Sequence, residues 1–300
     1  MKTNEILNCT LCPRECGIDR SERVGVCGAR DYISVAKIML HRWEEPCISG
    51  KNGSGAIFFS GCPLKCVYCQ NKEISHTLTG EKISVSELSS AMLSLQERGA
   101  HNINLVSPTQ YAPFIREAID GVRGELKIPV VYNTGGYEKP SEIAKMSSYV
   151  DVFLTDIKYF SSDLSKKYSL ASDYFEMAIA SFEKMLESAP ECVFDENGMM
   201  QKGVILRHLV LPSHRDDSIK LLERVAERFD VSKFKLSLMS QYTPDFYEGE
   251  DKALRRKITT FEYQSVVDRA IELGYDGYIQ EKTSAKRDFT PSFKGEIYEN

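Results

Sequence analysis

Three cysteines lie close together in a C-x3-C-x2-C run formed by Cys62, Cys66 and Cys69. The run directly follows a short apolar stretch at residues 55–61, GAIFFSG, so the thiols belong to a loop after a predicted strand. Three thiolates on one loop can hold a four-iron cluster and leave one iron without a protein ligand. An open metal position of this kind admits a substrate, as it does in catalytic zinc sites. The spacing fits neither the C-x2-C pairs of zinc sites nor the cysteine run of bacterial ferredoxins.

Four further cysteines near the start of the chain form a second group, Cys9, Cys12, Cys16 and Cys27. Four thiolates are enough to close a tetrahedral metal site. A structural zinc would hold together a segment too short for its own core. A second iron–sulfur cluster would relay electrons or bind substrate. Unligated thiols are the third interpretation, and the sequence leaves all three open.

The elements that must position these residues alternate along the chain. Short apolar runs predict strands at residues 55–61, 102–107, 129–134, 151–159, 204–212 and 234–242. Amphipathic stretches predict helices at residues 84–98, 111–122, 140–149, 174–188, 218–229 and 260–273. Two N-capping pairs support the helices, Ser84 with Glu87 and Asp173 with Glu176.

Six βα units predict an α/β fold, a partial (β/α)6 TIM-like barrel, with an open parallel sheet as the alternative architecture. In either case the chemistry belongs at the carboxyl ends of the strands. Residues 1–53 are rich in cysteine and turn formers, and we treat them as an accessory segment. The barrel then occupies residues 54–300.

Composition excludes several classes of protein. The 300 residues carry 38 Lys and Arg against 43 Asp and Glu, a net charge of −5 with both signs interspersed. This argues against nucleic acid as a partner, because phosphate binding needs a concentrated basic face. No apolar stretch has the length of a signal peptide or a membrane span, so we expect a cytoplasmic protein with no membrane partner. Nine cysteines are odd in number and too sparse for a disulfide scaffold, and Cys47 and Cys192 lack partner spacing.

The C-x3-C-x-aromatic-C loop after the first strand of a six-unit βα chain resembles that of the radical S-adenosylmethionine (SAM) superfamily. Within it the chain is similar to the pyruvate formate-lyase activating enzyme group, and CTLCPRECGIDRSERVGVCGA resembles the N-terminal extension of a poorly characterised subgroup. The resemblance implies a catalytic [4Fe–4S] cluster on Cys62, Cys66 and Cys69, with SAM chelating the fourth iron. One electron then cleaves SAM to methionine and a 5′-deoxyadenosyl radical that abstracts hydrogen from the substrate.

Motifs at the other strand ends resemble family motifs as well. Asp156 and Lys158 match the family's Asp-x-Lys and would hold the methionine end of SAM. Arg207 would reach the methionine carboxylate or the substrate backbone, Leu209 would pack on adenine, and Tyr68 would lie beside it. The full set of SAM-binding residues that the resemblance implies is Tyr68, Ser107, Thr109, Asn133, Asp156, Lys158, Arg207, Leu209 and Tyr242.

The chain also departs from the family pattern. After the second predicted strand the family carries Gly-Gly-Glu, which receives the SAM amino group, whereas this chain has Ser107-Pro108-Thr109-Gln110. Asn133 replaces an aspartate in a motif that resembles Asp-Thr-Asn-Gly, so a monovalent cation site near SAM would lose one negative charge. Tyr242 stands where the family has a histidine. These departures indicate a distinct subgroup.

The sequence therefore predicts a radical SAM enzyme that abstracts hydrogen from a protein or peptide partner, as glycyl-radical activating enzymes do. The resemblance implies an electron donor such as flavodoxin or ferredoxin. One alternative keeps this chemistry but acts on a small molecule, and the missing Gly-Gly-Glu favours it. A second alternative is a non-catalytic iron–sulfur or zinc protein that uses both cysteine groups.

Overall fold

The computed structural model describes residues 4–281, 291–293 and 295–299. The strands are β1 (Ile33–His41), β2 (Ser54–Phe59), β3 (Glu81–Ile83), β4 (Ile103–Val106), β5 (Val130–Thr134), β6 (Val152–Asp156), β7 (Val193–Phe194), β8 (Met200–Leu209), β9 (Lys235–Met239) and β10 (Gly277–Ile279). The α-helices are α1 (Asn4–Leu7), α2 (Pro46–Ser49), α3 (Lys72–Ser75), α4 (Val85–Glu97), α5 (Ala112–Val122), α6 (Pro140–Met146), α7 (Ser162–Ser169), α8 (Tyr174–Ser188), α9 (Arg215–Arg228) and α10 (Thr260–Glu272).

One mostly parallel sheet organises the molecule, with the strand order β10-β9-β8-β6-β5-β4-β2-β1-β3. The strands from β2 to β10 along this order are parallel to their neighbours, whereas β1 runs antiparallel to both β2 and β3. The two end strands, β3 and β10, do not pair with each other in the part of the chain that the structure describes. The expected mixed α/β fold with an unclosed barrel is confirmed.

Burial of both faces of the sheet explains why the parallel strands could be predicted from the sequence. All residues of β2, β4, β5 and β6 are buried, so each strand appears as a short continuous apolar run. The six predicted strands correspond to β2, β4, β5, β6, β8 and β9. The three-residue β10 escaped prediction because it is short and largely exposed.

The longer helices, α4 to α10, pack against the sheet through buried apolar residues. In α5, Ile115, Ala118, Ile119 and Val122 are buried at helical spacing. The capping box of Ser84 and Glu87 at the start of α4 is confirmed. Asp173 is the N-cap residue of α8 as predicted, but its carboxylate accepts a hydrogen bond from the Tyr137 hydroxyl at 2.7 Å and forms no capping hydrogen bond to the helix.

The N-terminal part of the chain is joined to the sheet. β1 lies within residues 1–53 and pairs along β2, and α2 follows it. Cys47 and Ile48 of α2 pack with Val131, Leu154 and Ile205 inside the barrel. The boundary between segments 1–53 and 54–300 stays a prediction, and residues 1–3, 282–290, 294 and 300 lie outside the described residues. None of the described helices has the length and apolar character needed to cross a membrane.

Candidate active site

The three-cysteine run lies on the loop after β2, and we call residues 62–69 the cluster loop. Gly61 turns the chain into this loop with a φ of +82°. A Cβ at Gly61 would lie 2.5 Å from the carbonyl oxygen of Cys27, so only glycine fits there. A 3.1 Å hydrogen bond from the backbone N–H of Cys69 to the carbonyl oxygen of Cys66 closes the last turn. The thiols therefore lie at the carboxyl end of a parallel strand.

Hydroxyl groups hydrogen-bond to two of the three sulfurs. The Ser169 hydroxyl donates to Cys66 Sγ at 2.9 Å, and the Ser75 hydroxyl donates to Cys69 Sγ at 3.4 Å. Since Ser169 uses its proton on the sulfur, Tyr159 must donate to Ser169 at 2.7 Å and Tyr68 to Tyr159 at 2.6 Å. Hydrogen bonds to ligand sulfurs tune the reduction potential of an iron–sulfur cluster.

The electrostatic environment of the thiols favours a bound cation. Burial, together with the neighbouring Cys66 and Cys69, raises the pKa of Cys62 to about 12. Burial also raises the pKa of Cys69, while the ammonium of Lys158 acts in the opposite direction. A thiolate at these positions is stable only with positive charge beside it, which iron supplies. The donor set thus fits a cluster held by three thiolates.

A buried charged group lies at the carboxyl ends of β6 and β8. Asp156 and Arg207 are register neighbours in these parallel strands, and Arg207 Nε donates to Asp156 Oδ1 at 2.8 Å. The Lys158 ammonium forms an ion pair with the other oxygen of Asp156. Arg207 Nη2 donates to Asn133 Oδ1 at 2.6 Å, and Nη1 donates to Glu44 Oε2 at 3.1 Å. The Arg207 guanidinium therefore lies between Asp156 and Asn133, the residue whose replacement of an aspartate is expected from the sequence to weaken a monovalent cation site.

These ion pairs keep all three partners charged despite their burial. Burial opposes ionisation of Asp156, but Arg207 and Lys158 outweigh it and hold the pKa of this carboxyl below its ordinary value. Burial likewise opposes the charged form of Arg207, yet the carboxylates of Asp156, Glu45 and Glu44 raise its pKa. Burial also opposes the charged form of Lys158, but the nearby Asp156 and Cys66 outweigh it and raise the pKa of the ammonium.

A cavity of about 210 Å³ brings most of the sequence-predicted residues together. Two cluster-loop cysteines line it together with the charged group, an aromatic ring and a leucine. The predicted residues that line it are Cys66, Tyr68, Cys69, Asn133, Asp156, Lys158, Arg207 and Leu209. With two cations and two carboxylates, counting Glu44, the cavity matches the zwitterionic amino acid end of SAM.

Three predicted SAM-binding residues do not line this cavity. Ser107 donates its backbone N–H to the carbonyl oxygen of Asn133 at 2.9 Å, in the strand-end turn. Thr109 points the other way and donates its hydroxyl to buried Glu138. Tyr242 is buried behind Tyr68, with ring centroids 6.0 Å apart, and its hydroxyl donates to a backbone carbonyl. These roles remain predictions for the SAM-bound protein.

Sequence reasoning missed Glu44, which supplies a carboxylate to the cavity. Its Oε1 accepts from the amides of Asn104 and Asn133, at 3.1 and 3.2 Å, and its Oε2 accepts from Arg207. No motif marks this residue, because its location follows from the antiparallel pairing of β1 with β2. The neighbouring Glu45 is buried too, which raises the pKa of its carboxyl.

The other cysteine group, which we call the N-terminal cysteine set (Cys9, Cys12, Cys16 and Cys27), lines a separate cavity. Burial raises the pKa of Cys12 and of Cys27. Within residues 4–281, 291–293 and 295–299, no three His, Cys, Asp or Glu side chains are arranged to hold a single metal ion. This applies equally to the N-terminal cysteine set and to the three cysteines of the cluster loop.

The buried carboxyl of Glu138, which accepts hydrogen bonds from the hydroxyls of Thr109 and Thr134, should make the stability of the protein depend on pH. Burial raises the pKa of its carboxyl from an ordinary value of 4.5 to about 7. The folded state therefore binds this proton more tightly than the unfolded state, so this contribution to stability is complete below pH 4.5 and is lost as the pH rises to about 7. The loss amounts to roughly 3 kcal/mol at 1.36 kcal/mol per pKa unit.

We expect Glu138→Gln to flatten the pH dependence of the free energy of unfolding between about pH 4.5 and pH 7. Urea denaturation at several pH values measures this slope, with Glu176→Gln, an exposed carboxyl on α8, as the control. An unchanged slope in Glu138→Gln would show that the carboxyl does not carry the effect.

Several known proteins are similar to this chain in sequence or in fold. The family model of the Radical SAM superfamily matches residues 56–202. An uncharacterized protein of Methanocaldococcus jannaschii is 27% identical over 285 residues, which cover 91% of this chain and 77% of that protein. A radical SAM methyltransferase from Sphaerobacter thermophilus superposes with a TM-score of 0.51 at 12% identity, over 76% of this chain and 66% of that chain. Streptococcus suis SuiB bound to precursor peptide SuiA gives a TM-score of 0.48 at 13% identity, over 73% of this chain and 46% of that chain.

Fold and site together define a partial-barrel α/β protein whose first parallel strand carries an iron–sulfur loop to a charged cavity. Over residues 56–202 the chain is similar to the radical SAM superfamily, which its sequence led us to expect. The matched family model implies a [4Fe–4S] cluster and SAM as the cofactors of this site. The chain spans 46% of SuiB and 66% of the methyltransferase, and assignment to the pyruvate formate-lyase activating group stays a prediction.

Proposed function

We propose that this protein is a radical SAM enzyme that takes a hydrogen atom from a protein or peptide substrate, in the manner of glycyl-radical activating enzymes. When bound, the reduced cluster and SAM supply hydrogen abstraction from a substrate C–H bond, using one electron from a reductant such as flavodoxin or ferredoxin. The observation that carries the proposal is that Cys66 and Cys69 line the same cavity as Asp156, Lys158 and Arg207.

The protein residues of this cavity bind and orient. Lys158 presents an ammonium toward the cluster-loop sulfurs, and its pairing with Asp156 keeps the side chain in one position. Arg207 is held by three acceptors from different elements, so it gives the cavity floor a defined shape. Tyr68 forms a wall and connects through its hydroxyl to the hydrogen-bond chain that ends at Cys66.

An open groove beside the cavity supports a protein or peptide as the substrate. The groove has a volume of about 470 Å³ and shares Trp43, Glu44 and Arg207 with the cavity. Its far wall is the edge strand β10 and the residues that follow it, to Glu281. An extended peptide can pair with an edge strand through main-chain hydrogen bonds. A groove of this kind gives a peptide access to the cavity from the side.

The test asks which size class of molecule donates the hydrogen atom. Reconstituted protein is reduced with dithionite under anaerobic conditions and supplied with SAM and an extract of the source cells grown in deuterated medium. The extract is first divided by filtration into macromolecules and small molecules. Deuterium in the 5′-deoxyadenosine product, measured by mass spectrometry, then identifies the donor fraction.

We expect deuterium transfer from the macromolecular fraction, and protease treatment of that fraction should abolish it. Transfer from the small-molecule fraction alone would overturn the proposed substrate class in favour of a small-molecule substrate. Formation of no 5′-deoxyadenosine in any arm, with the cluster present and reduced, would overturn the proposed activity itself.

A further inference from the structure

We propose that the N-terminal cysteine set binds a second metal centre through four thiolates, and that this centre holds Arg14 on the cluster loop. Thiolates bind soft metals, so the occupant is a zinc ion or an iron–sulfur cluster, and to hold a single ion the four thiols must move from the positions they have in this structure. Four protein ligands leave no open coordination position, which gives the centre a structural or electron-transfer role and keeps it apart from SAM chemistry. The proposal does not depend on which substrate the enzyme uses.

The backbone folds around the thiols of the N-terminal cysteine set without a helix or strand at that point. Hydrogen bonds join Gly17 N to the Cys9 carbonyl oxygen at 2.9 Å and Cys9 N to the Ile18 carbonyl oxygen at 3.0 Å. A third bond of 3.0 Å runs from Glu15 N to the carbonyl oxygen of Cys12. These turns bring cysteines from three parts of the segment to one cavity.

Close packing joins the fourth cysteine to the others. A Cβ at Gly25 would lie 2.8 Å from Cys16 Sγ, so the turn that carries Cys27 lies directly against Cys16. The carbonyl oxygen of Cys27 in turn lies against Gly61, the residue that precedes the cluster loop. A side chain at Gly25 would push Cys16 away from this turn, and one at Gly61 would push Cys27 away from the start of the cluster loop.

A buried arginine at the same cavity provides an independent observation. Arg20 is only 1% exposed, lines the cavity, and has an Nε with no hydrogen-bond partner in the structure. Its terminal nitrogens donate to the backbone carbonyls of Gln110 and Arg30, at 2.6 and 2.5 Å. Among the described residues no carboxylate forms an ion pair with it. A buried cation without a counterion is costly, and metal-bound thiolates beside it supply the missing negative charge.

Arg14 links this cavity to the active site. It lies between Cys12 and Cys16, and its Nε donates to the carbonyl oxygen of Pro63 in the cluster loop at 3.0 Å. Its Nη2 donates to the carbonyl oxygen of Ser169 at 3.0 Å, and its Nη1 donates to the next carbonyl along the chain. The Ser169 hydroxyl is the donor to Cys66 Sγ. Ordering the loop around Arg14 with a metal therefore orders the surroundings of a cluster ligand.

The first experiment counts metals on the full chain. Wild type, Cys12→Ala and Cys66→Ala are purified anaerobically from cells supplied with iron and zinc, and iron, sulfide and zinc are measured per chain. Cys192→Ser is the control, because Cys192 belongs to neither cysteine group. We expect wild type and control to contain either about eight irons, or about four irons with one zinc.

Cys12→Ala should lose the additional irons or the zinc and keep the four irons of the cluster loop, whereas Cys66→Ala should show the opposite loss. Wild type that contains four irons and no other metal, before and after reconstitution with iron, sulfide and zinc, would overturn the proposal. So would full metal content in Cys12→Ala. The wild-type count decides the question even if a variant fails to fold.

A second experiment tests Arg14 as a positioning residue. We expect Arg14→Ala to retain both metal centres but to change the electron paramagnetic resonance spectrum of the reduced cluster-loop [4Fe–4S] cluster. Arg14→Lys, which keeps the charge but not the planar set of donors, should restore the spectrum only partly. A spectrum identical to that of wild type in Arg14→Ala would show that Arg14 does not position the cluster loop.

Discussion

Replacing Cys66 by alanine is expected to remove the four irons of the cluster loop and to lower 5′-deoxyadenosine formation by on the order of 10³-fold or more. Cys66 is 8% exposed and lies between the cavity and the hydroxyl of Ser169. With two thiolates left, the loop cannot hold three irons of a cluster. Iron and sulfide analysis with chromatographic measurement of 5′-deoxyadenosine checks the result.

The matched control is Cys192→Ser, which changes a partly exposed thiol that contacts backbone carbonyls far from the cavity. This variant should keep wild-type iron content and activity. Four irons and undiminished 5′-deoxyadenosine formation in Cys66→Ala would contradict the assignment of the cluster to this loop. Loss of activity in the control would instead indicate general sensitivity of the chain to cysteine substitution.

Replacing Asp156 by asparagine is expected to lower the free energy of unfolding by about 3–5 kcal/mol, because it removes one partner of a buried ion pair. Asp156 accepts from both Lys158 and Arg207, and all three side chains are less than 20% exposed. The substitution keeps the shape of the side chain but leaves two cations without their shared carboxylate. Urea denaturation of the anaerobic protein measures the loss.

The same variant should bind SAM at least about 10-fold more weakly, since the loss of a charged hydrogen-bond partner is worth about 1.5–3 kcal/mol. Equilibrium dialysis measures this affinity. The double variant Asp156→Asn/Arg207→Gln should unfold more easily than wild type, but by about 1 kcal/mol less than the sum of the single variants. Glu187→Gln, which breaks an exposed pair with Lys184, is the control and should cost about 1 kcal/mol or less. Additive losses in the double variant would show that Asp156 and Arg207 are not coupled.

Local sequence patterns were sufficient for the central strands and their helices. A buried parallel strand is an uninterrupted apolar run, and an amphipathic helix repeats its apolar residues at fixed spacing, so both are visible within a few residues of sequence. The capping hydrogen bond expected from Asp173 does not form, because Tyr137, 36 positions away, attracts the carboxylate. Local propensity could not include that competitor.

The residues of the site also fall into those that the sequence predicts and those that only the tertiary structure reveals. Residues near the carboxyl ends of neighbouring parallel strands, such as Asn133, Asp156 and Arg207, were predictable because the parallel arrangement brings these strand ends to one edge of the sheet. Glu44 was not predictable, since its approach to Arg207 spans 163 positions and depends on β1 pairing antiparallel to β2. The turn of Thr109 toward Glu138 also depends on packing with another strand end.

By itself, the sequence determined the class of chemistry and the general fold, because three cysteines at this spacing and six apolar runs are local facts about the chain. Only the tertiary structure decided which charges share the cavity, that the Arg207 guanidinium lies between Asn133 and Asp156, and that Arg14 connects the N-terminal cysteine set to the cluster loop. These contacts join residues distant in the chain, and their partners are selected by burial: an enclosed charge or donor must find a counterpart nearby, wherever in the sequence that counterpart lies.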